Sequence, residues 1–269
     1  MTLDIDAWVR QVQDSKKYRA AGISEMTIRA ILENELAHHR SAKEAERAAR
    51  KKLHEVVAPY LGDPAYADAL HTLQRAYNTR DDSIIRAALR ELMAAHHSTA
   101  ERLPLLDTFY PRIFAITGYP ARILDLACAL NPLAYPWMNA PGMEILAYDI
   151  HQQRLDFLRA FFHLAGIPGQ AINQDILVEY PQPRAPVALL LKEAARMEKR
   201  QRGTVAPLLA ALDVEWIVLS LPAHSRTGRR DLSENYQKLV DRLLAGQDWP
   251  VTPLEFANET VYCIHKAHA

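Results

Sequence analysis

The sequence predicts an α/β protein in which an all-helical N-terminal domain precedes a mostly parallel sheet with helices on both faces. From residue 7 to about residue 102, apolar positions recur at helical spacing with almost no strand-like alternation. From Ala121 onward, short β-rich runs alternate with helical patterns. The last two β-rich runs have no helix between them, which predicts an antiparallel hairpin at one edge of the sheet.

The composition indicates a reduced protein with a sizeable core. The chain has 269 residues, 49% of them hydrophobic, and its formal net charge is zero. A net charge of zero argues against a generally basic nucleic-acid binder but is compatible with local basic patches. Its two cysteines, Cys128 and Cys263, lie in apolar runs, so we expect neither disulfides nor a zinc site, and no other metal site.

The sequence contains no segment that indicates a membrane or a secretory route. No apolar stretch approaches the ~20 residues that cross a bilayer. The N-terminus is acidic and lacks the apolar core of a signal peptide. We therefore expect a cytoplasmic protein without a membrane segment.

The helical part contains one helix with two contrasting faces. Between Lys43 and Tyr60, apolar residues form one stripe and basic residues another. Taken alone, such a basic stripe is more often a solvated surface than a phosphate-binding one.

The strands of the second part are predicted from β-rich runs bounded by turn residues. They are 123–127, 145–149, 171–174, 187–191, 216–220, 254–256 and 261–265. Helical patterns fill the gaps at 152–164, about 204–212 and 233–244. The terminal hairpin fits a Rossmann-like class I methyltransferase sheet better than a dinucleotide-binding sheet.

The first strand ends in a turn of small residues. Ligands of open α/β sheets bind at the carboxyl ends of strands, where strand order reverses. Ala127 and Ala129 would let a ligand approach the backbone closely, and Asn131 tolerates the left-handed conformation. Cys128 is interpreted as an apolar filler, because no His/Asn partner pattern for a nucleophile is evident.

The second and third strands each end in an acidic residue. Asp149 follows Ala129 by about 20 residues, the spacing at which a carboxylate holds ribose hydroxyls. Asp175 can accept a hydrogen bond from an adenine amino group, with Ile176 offering apolar contact to the ring. One acidic strand end is ordinary, but Asp125, Asp149 and Asp175 in this order predict a site for an adenosine-containing cofactor.

The segment RILDLACALNPL at 122–133 resembles motif one of the aminoglycoside-resistance 16S ribosomal RNA (guanine-N7) methyltransferases of the Arm/Rmt/Kgm type. Other segments agree in order along essentially the whole chain. They are SKKYR (15–19), HSTAERL (97–103), LDTFY (106–110), DIHQ (149–152), QDIL (174–177), ENY (234–236) and YCIHK (262–266).

The resemblance implies S-adenosylmethionine as cofactor. Arg102 would pair with the methionine carboxylate, Asp149 would hold the ribose, and Asp175 with Ile176 would seat the adenine. The other expected cofactor contacts are Asp125, Ala127, Cys128, Ala129, Asn131, Ile150, His151, Gln174 and Leu191. No catalytic base is expected, because guanine N7 is a lone-pair nucleophile that carries no proton, so positioning should supply most of the catalysis.

The resemblance also implies the partner. Residues 1–102 would dock on 16S rRNA within the 30S subunit, and residues 103–269 would form the methyltransferase domain of a monomer. The expected reaction is methylation of N7 of a decoding-site guanine (position 1405), which confers aminoglycoside resistance. The expected RNA contacts are Lys16, Lys17, Arg19, Lys192, Arg226, Arg229 and Arg230.

Three departures from the family pattern leave alternatives open. Ala129 stands where the family has glycine, and a positive φ there would cost alanine about 1 kcal/mol. Glu193 and the residues after it replace an apolar run beyond Lys192, and the charged segment 224–230 replaces a glycine-rich loop. The alternatives are a divergent relative that methylates another RNA site, and a ribosome-binding protein with weakened cofactor binding.

Overall fold

The computed structural model describes residues 4–15, 18–19, 22–57, 64–223 and 233–266. The N-terminal part is helical, as the sequence predicts. Its helices are α1 (Ile5–Asp14), α2 (Glu25–His38), α3 (Ala42–Val57), α4 (Tyr66–Asn78), α5 (Asp82–Ala94) and the single turn α6 (His97–Ala100). Polar side chains cap free backbone N–H groups: Asp4 accepts from Ala7 at 3.0 Å and Ser24 accepts from Thr27 at 3.2 Å.

Helices α1, α2 and α3 share a small core of their own. Its buried members include Trp8, Val12, Ile28, Leu32 and Leu53. Ile150 packs against this cluster, and Ile23 forms an isolated β-bridge with His151. Because Ile150 and His151 directly follow a strand of the sheet, the three helices are seated at that strand's carboxyl end.

The second part contains a seven-stranded sheet. Its strands are β1 (Arg122–Leu126), β2 (Glu144–Asp149), β3 (Gly169–Asn173), β4 (Ala185–Leu191), β5 (Val214–Pro222), β6 (Val251–Glu255) and β7 (Glu259–His265). The strand order is β3-β2-β1-β4-β5-β7-β6, with β7 antiparallel to both β5 and β6 and the other pairs parallel. The predicted antiparallel hairpin at the edge is confirmed.

Helices cover both faces of the sheet. After a 3₁₀ turn (Leu103–Leu105) they are α7 (Leu106–Thr117), α8 (Tyr135–Met138), α9 (Gln152–Ala165), α10 (Ala194–Arg200), α11 (Val205–Ala211) and α12 (Ser233–Leu243). Successive residues of β1 face opposite layers: Ile123 belongs to the core with α4, α5 and α7, and Leu124 to the core with α11 and α12. None of the described helices is long and apolar enough to cross a membrane.

The strand predictions differ from the structure mainly at the ends. The run predicted at 254–256 is the end of β6, which begins three residues earlier, at Val251. Its Pro253 has no N–H to donate, and β6 tolerates it because it is an edge strand. Strand order reverses at β1, which lies between β2 and β4, so the fold places its crevice where the sequence places the small-residue turn.

Candidate active site

The turns after β1 and β4 hold unusual backbone conformations. Ala127 has φ 50°, Ala129 has φ 48° and Lys192 has φ 64°. A left-handed conformation costs a residue with a side chain roughly 1–2 kcal/mol, and such strain concentrates at functional sites. The concern that Ala129 occupies a position suited to glycine is therefore confirmed. Asn131, which was expected to tolerate this conformation, instead begins a 3₁₀ turn, Asn131–Ala134.

A cavity of about 200 Å³ opens at the carboxyl ends of β1 to β4. Seven of the expected cofactor contacts line it: Ala127, Ala129, Asp149, Ile150, Gln174, Asp175 and Ile176. Helix α3 contributes Lys52, Glu55 and Val56 to its lining. The cavity therefore lies between the helical part and the sheet, with carboxylates and apolar side chains close together. These acceptors and apolar side chains fit an adenosine-containing ligand, because its base needs apolar contact and its hydroxyls need hydrogen-bond acceptors.

Asp149 joins three segments of the site. Its Oδ1 accepts from the backbone N–H groups of Ile150 (2.7 Å) and His151 (3.0 Å), and its Oδ2 accepts from Ala129 N (3.0 Å) and Arg154 Nη1 (2.8 Å). Burial alone would raise the pKa of Asp149, but the Arg154 guanidinium and the backbone donors hold it below its usual value. The carboxylate thus stays ionised and fastens the turn after β1 to the end of β2.

Asp175 is held at the third strand end by two contacts. Its Oδ2 accepts from Arg200 Nη2 at 2.5 Å, and its Oδ1 accepts from Leu177 N at 3.1 Å. Lys52 Nζ donates to the backbone carbonyl of Arg200 at 2.8 Å, which ties helix α3 to α10. The expected adenine wall is therefore braced by the helical part of the chain.

The other six expected cofactor contacts are buried and are not among the residues that line this cavity. They are Arg102, Asp125, Cys128, Asn131, His151 and Leu191. His151 caps α9 by accepting from Arg154 N at 3.2 Å. Burial raises the pKa of the Cys128 thiol well above its usual value, as suits an apolar filler.

Arg102 belongs to a buried polar network. It donates to Glu259 Oε1 at 3.1 Å through Nε and to Asn131 Oδ1 at 3.0 Å through Nη1. Asn131 in turn donates to Asp125 Oδ2 at 2.9 Å. Burial raises the pKa of Asp125 to about 7, against the opposing effects of Asn131 and Arg102.

Lys192 joins the same network instead of facing solvent. Its Nζ lies 2.7 Å from Glu101 Oε2 and 2.9 Å from Glu259 Oε2, and its side chain is 5% exposed. Arg19, by contrast, is exposed on the surface. The other expected RNA contacts, Lys16, Lys17, Arg226, Arg229 and Arg230, lie outside the described residues.

Sequence reasoning missed several residues of the cavity. Arg154 is fully buried within α9 and lines it. Its only sequence signal is a charge on the side of the predicted helix that carries Leu155 and Leu158. Arg200 and Lys52 gave no signal, because their role depends on the packing of α3 on α10. Among the described residues, no group of three or more His, Cys, Asp or Glu side chains is arranged to hold a metal ion.

The chain is similar to proteins of one named activity. A family model described as "Ribosomal RNA methyltransferase (FmrO)" matches residues 14–264. A 16S rRNA (guanine(1405)-N(7))-methyltransferase of Micromonospora echinospora is 31% identical over 267 residues, which cover 97% of each chain. The solved structure of the 16S rRNA methyltransferase RmtF in complex with S-adenosyl-L-homocysteine superposes with a TM-score of 0.81 at 27% identity, covering 99% of this chain and 100% of that one. The 16S rRNA methylase RmtB gives a TM-score of 0.80 at 27% identity over the same shares of the two chains.

Proposed function

The chain belongs to the FmrO family of ribosomal RNA methyltransferases, and on that premise we propose that it methylates N7 of guanine 1405 in 16S rRNA. The cofactor of the family, S-adenosylmethionine, supplies an electrophilic methyl group on a sulfonium. The observation that carries the proposal is the cavity at the strand reversal, where the left-handed turn after β1 meets the carboxylates of Asp149 and Asp175. The product would be a ribosome resistant to aminoglycosides.

The chemistry asks the protein to position its substrates rather than to move a proton. Guanine N7 already has a lone pair, so alignment of N7 with the methyl group supplies most of the rate. The small side chains of Ala127 and Ala129 allow close approach of the cofactor to the turn. Asp175 and Ile176 would seat the adenine. The resemblance assigns the methionine carboxylate to Arg102, whose three guanidinium nitrogens donate to Glu259 and Asn131 in the structure, so the carboxylate would have to replace one of these acceptors.

The proposed partner is the 30S subunit. The helical part, residues 1–102, would dock on 16S rRNA through exposed cations such as Arg19, and residues 103–269 would carry out the transfer as a cytoplasmic monomer. A guanine in a structured helix must leave its stack to reach the cavity, at a cost of a few kcal/mol. Contacts of the helical part with the subunit would offset this cost.

The test is methylation of isolated 30S subunits by the purified full-length chain with radiolabelled cofactor. We expect label in 16S rRNA, mapped to guanine 1405, and resistance to kanamycin and gentamicin in a susceptible host. Subunits already methylated at that guanine are the control and should take up no label. Label at another nucleotide would indicate a divergent target, and absence of both label and cofactor binding would indicate a ribosome-binding protein without turnover.

A further inference from the structure

We propose that Lys52 of helix α3 is a positioning residue for the cofactor, because it holds Arg200 against the carboxylate of Asp175, which is expected at the adenine. Printed distances of 2.5–3.0 Å join four residues in a relay: Glu35 in α2, Lys52 in α3, Arg200 in α10 and Asp175 just beyond β3. The inference rests on the cofactor of the proposed function but not on which base is methylated.

The relay ends at a carboxylate that has acceptor capacity left. Asp175 is 2% exposed, its Oδ2 accepts from Arg200 Nη2 at 2.5 Å, and its Oδ1 accepts from Leu177 N at 3.1 Å. An ionised carboxylate has about four lone-pair directions, so an adenine amino group can donate to Asp175 beside these two partners. The orientation in which Asp175 presents its remaining lone pairs depends on where Arg200 is held.

The backbone of Arg200 is held by α3 as well as by its own helix. Arg200 is the last residue of α10, and the last carbonyl groups of a helix have no partner within it. Lys52 Nζ donates to the Arg200 carbonyl oxygen at 2.8 Å, although 148 residues separate the two in sequence. The helix dipole also favours a cation at this end of α10. Lys52 therefore fixes the residue whose guanidinium contacts Asp175.

Glu35 fixes Lys52 from the other side. Its Oε1 lies 3.0 Å from Lys52 Nζ and accepts from Asn34 Nδ2 at 3.1 Å, and its Oε2 lies 3.3 Å from His39 Nε2. Glu35 is buried, and burial acts to raise its pKa, but Lys52, Asn34 and His39 hold that pKa below its usual value. The Lys52 ammonium is thus paired with an ionised, buried carboxylate, which restricts its position.

Other lysines beside the cavity have different surroundings. The side chain of Lys199 is 76% exposed and lies 3.3 Å from Glu55, and such a surface pair contributes little to stability. Lys51 is exposed, and among the residues that the structure describes none pairs with it. The side chain of Lys52 is 32% exposed and lines the cavity. Lys51 therefore offers a matched control on the same helix.

The experiment pairs a change at Lys52 with a change in the base of the cofactor. Calorimetry would measure binding of S-adenosylhomocysteine, and of its analogue with purine in place of adenine, to the full-length wild type and to Lys52→Met. The analogue lacks the amino group from which Asp175 would accept. We expect the variant to bind S-adenosylhomocysteine about 3- to 10-fold more weakly and to bind the analogue as the wild type does. Equal losses for both ligands would assign Lys52 a purely structural role and overturn the proposal, as would no loss for either.

Three further variants test the relay itself. Lys51→Met removes the same charge from the same helix and should leave both affinities unchanged; a loss equal to that of Lys52→Met would overturn the proposal. Lys52→Arg keeps a cation of similar reach and should recover most of the affinity for S-adenosylhomocysteine. Glu35→Gln should weaken S-adenosylhomocysteine selectively and add little to the loss in Lys52→Met, because contacting residues of one network are not additive. Fully additive losses would show that the two residues act separately.

Kinetics with 30S subunits provides a second readout. Because Lys52 is not placed at the reacting atoms, Lys52→Met should raise the KM for S-adenosylmethionine and leave kcat unchanged. A raised KM for the 30S subunit alone, with unchanged cofactor binding, would make Lys52 an RNA contact and overturn the proposal. A wild type that binds neither ligand would refute the cofactor assignment itself, whereas a wild type that binds and methylates with a flat cycle would refute only the role of Lys52.

Discussion

Charged residues on the two sides of the strand reversal have different environments. On the side of β2 and β3, Asp149 and Asp175 stand on the cavity wall. On the side of β1 and β4, Asp125 and Lys192 are sealed in a network with Glu259. All four lie at or near the carboxyl ends of parallel strands, so position in the sheet predicts the edge at which a side chain lies. Whether that side chain lines the cavity or is buried in a protein network depends on a charged residue that is distant in sequence.

Glu259 is the partner that makes the difference. It is 157 residues from Arg102 in sequence and is fully buried between Arg102 and Lys192. Arg102 also stacks on the Phe109 ring, with its guanidinium carbon 4.6 Å from the ring centroid. The two cations of the β1 and β4 side are thus neutralised internally before any ligand arrives.

The largest expected effect comes from removing this partner. Glu259→Leu leaves two buried cations facing each other, so we expect a loss of about 3–5 kcal/mol in the free energy of unfolding. Urea denaturation measures it. Glu259→Gln is the matched control: it keeps the shape and one acceptor oxygen and should lose less. If the leucine variant unfolded like the wild type, the network would not be the feature that separates the two sides.

Replacement of a carboxylate on the cavity wall should cost less stability than Glu259→Leu. Asp149→Asn removes the charge that faces Arg154 and presents an amide donor to the backbone donors of the turn. We expect a loss of about 2–3 kcal/mol in the free energy of unfolding, since a hydrogen-bonded charge is replaced by a mismatched amide. An Asp175→Asn variant should lose less than Asp149→Asn, because the Asp175 carboxylate accepts two hydrogen bonds and the Asp149 carboxylate accepts four. The reverse order would contradict the role of Asp149 in fastening the turn after β1.

Much of the fold follows from patterns within short windows. The alternation of β-rich and helical runs predicted the sheet, and the absence of a helix between the last two runs predicted the hairpin, which the structure confirms. The three acidic strand ends were also predicted as a set. The division of that set could not be predicted, because it depends on Glu259 and Arg154, whose contacts become visible only when distant elements are packed together.

Asp125 offers a third test through its titration. Because burial raises its pKa from 3.8 to about 7 in the folded protein, the native state binds more protons than the unfolded state between these values. The contribution of Asp125 to stability is therefore fully present below about pH 4 and is lost as pH rises through 7. Relative to Asp125→Asn, the wild type should lose more than about 1 kcal/mol in the free energy of unfolding between pH 4 and 7.

The quantity to compare is the difference in the free energy of unfolding between the wild type and Asp125→Asn at each pH. The contributions of the other titrating groups largely cancel in this difference. The asparagine keeps an oxygen that can accept from Asn131, so its packing should change little. A difference that is flat from pH 4 to 8 would show that Asp125 is ionised throughout. The sealed network would then have the same electrostatic character as the cavity wall, and the contrast between the two sides would rest on exposure alone.

The smallest expected effect lies at the turn that joins the two sides. Ala129→Gly at φ 48° relieves strain of roughly 1–2 kcal/mol. Glycine also makes the unfolded chain more flexible, which lowers the free energy of unfolding by about 0.4–1 kcal/mol. We expect a net gain of about 0–1.6 kcal/mol in the free energy of unfolding. Arg80→Gly is the matched control, because Arg80 has φ 55° at an exposed turn far from the cavity.

Comparison of the two glycine variants distinguishes the effect of relieving backbone strain at any turn from the effect of relieving it at the turn beside the cavity. Ala129 N donates to Asp149 Oδ2 at 3.0 Å, so relaxation of this turn changes the scaffold beside the expected ribose position. Ala129→Gly should therefore bind S-adenosylhomocysteine a few-fold more tightly, by calorimetry, while Arg80→Gly should gain stability with unchanged affinity. Equal affinities in all three proteins would show that the turn is held rigid by Asp149 whichever residue occupies position 129. The alanine would then be a tolerated substitution, and the affinity of the pocket would be set by its carboxylates.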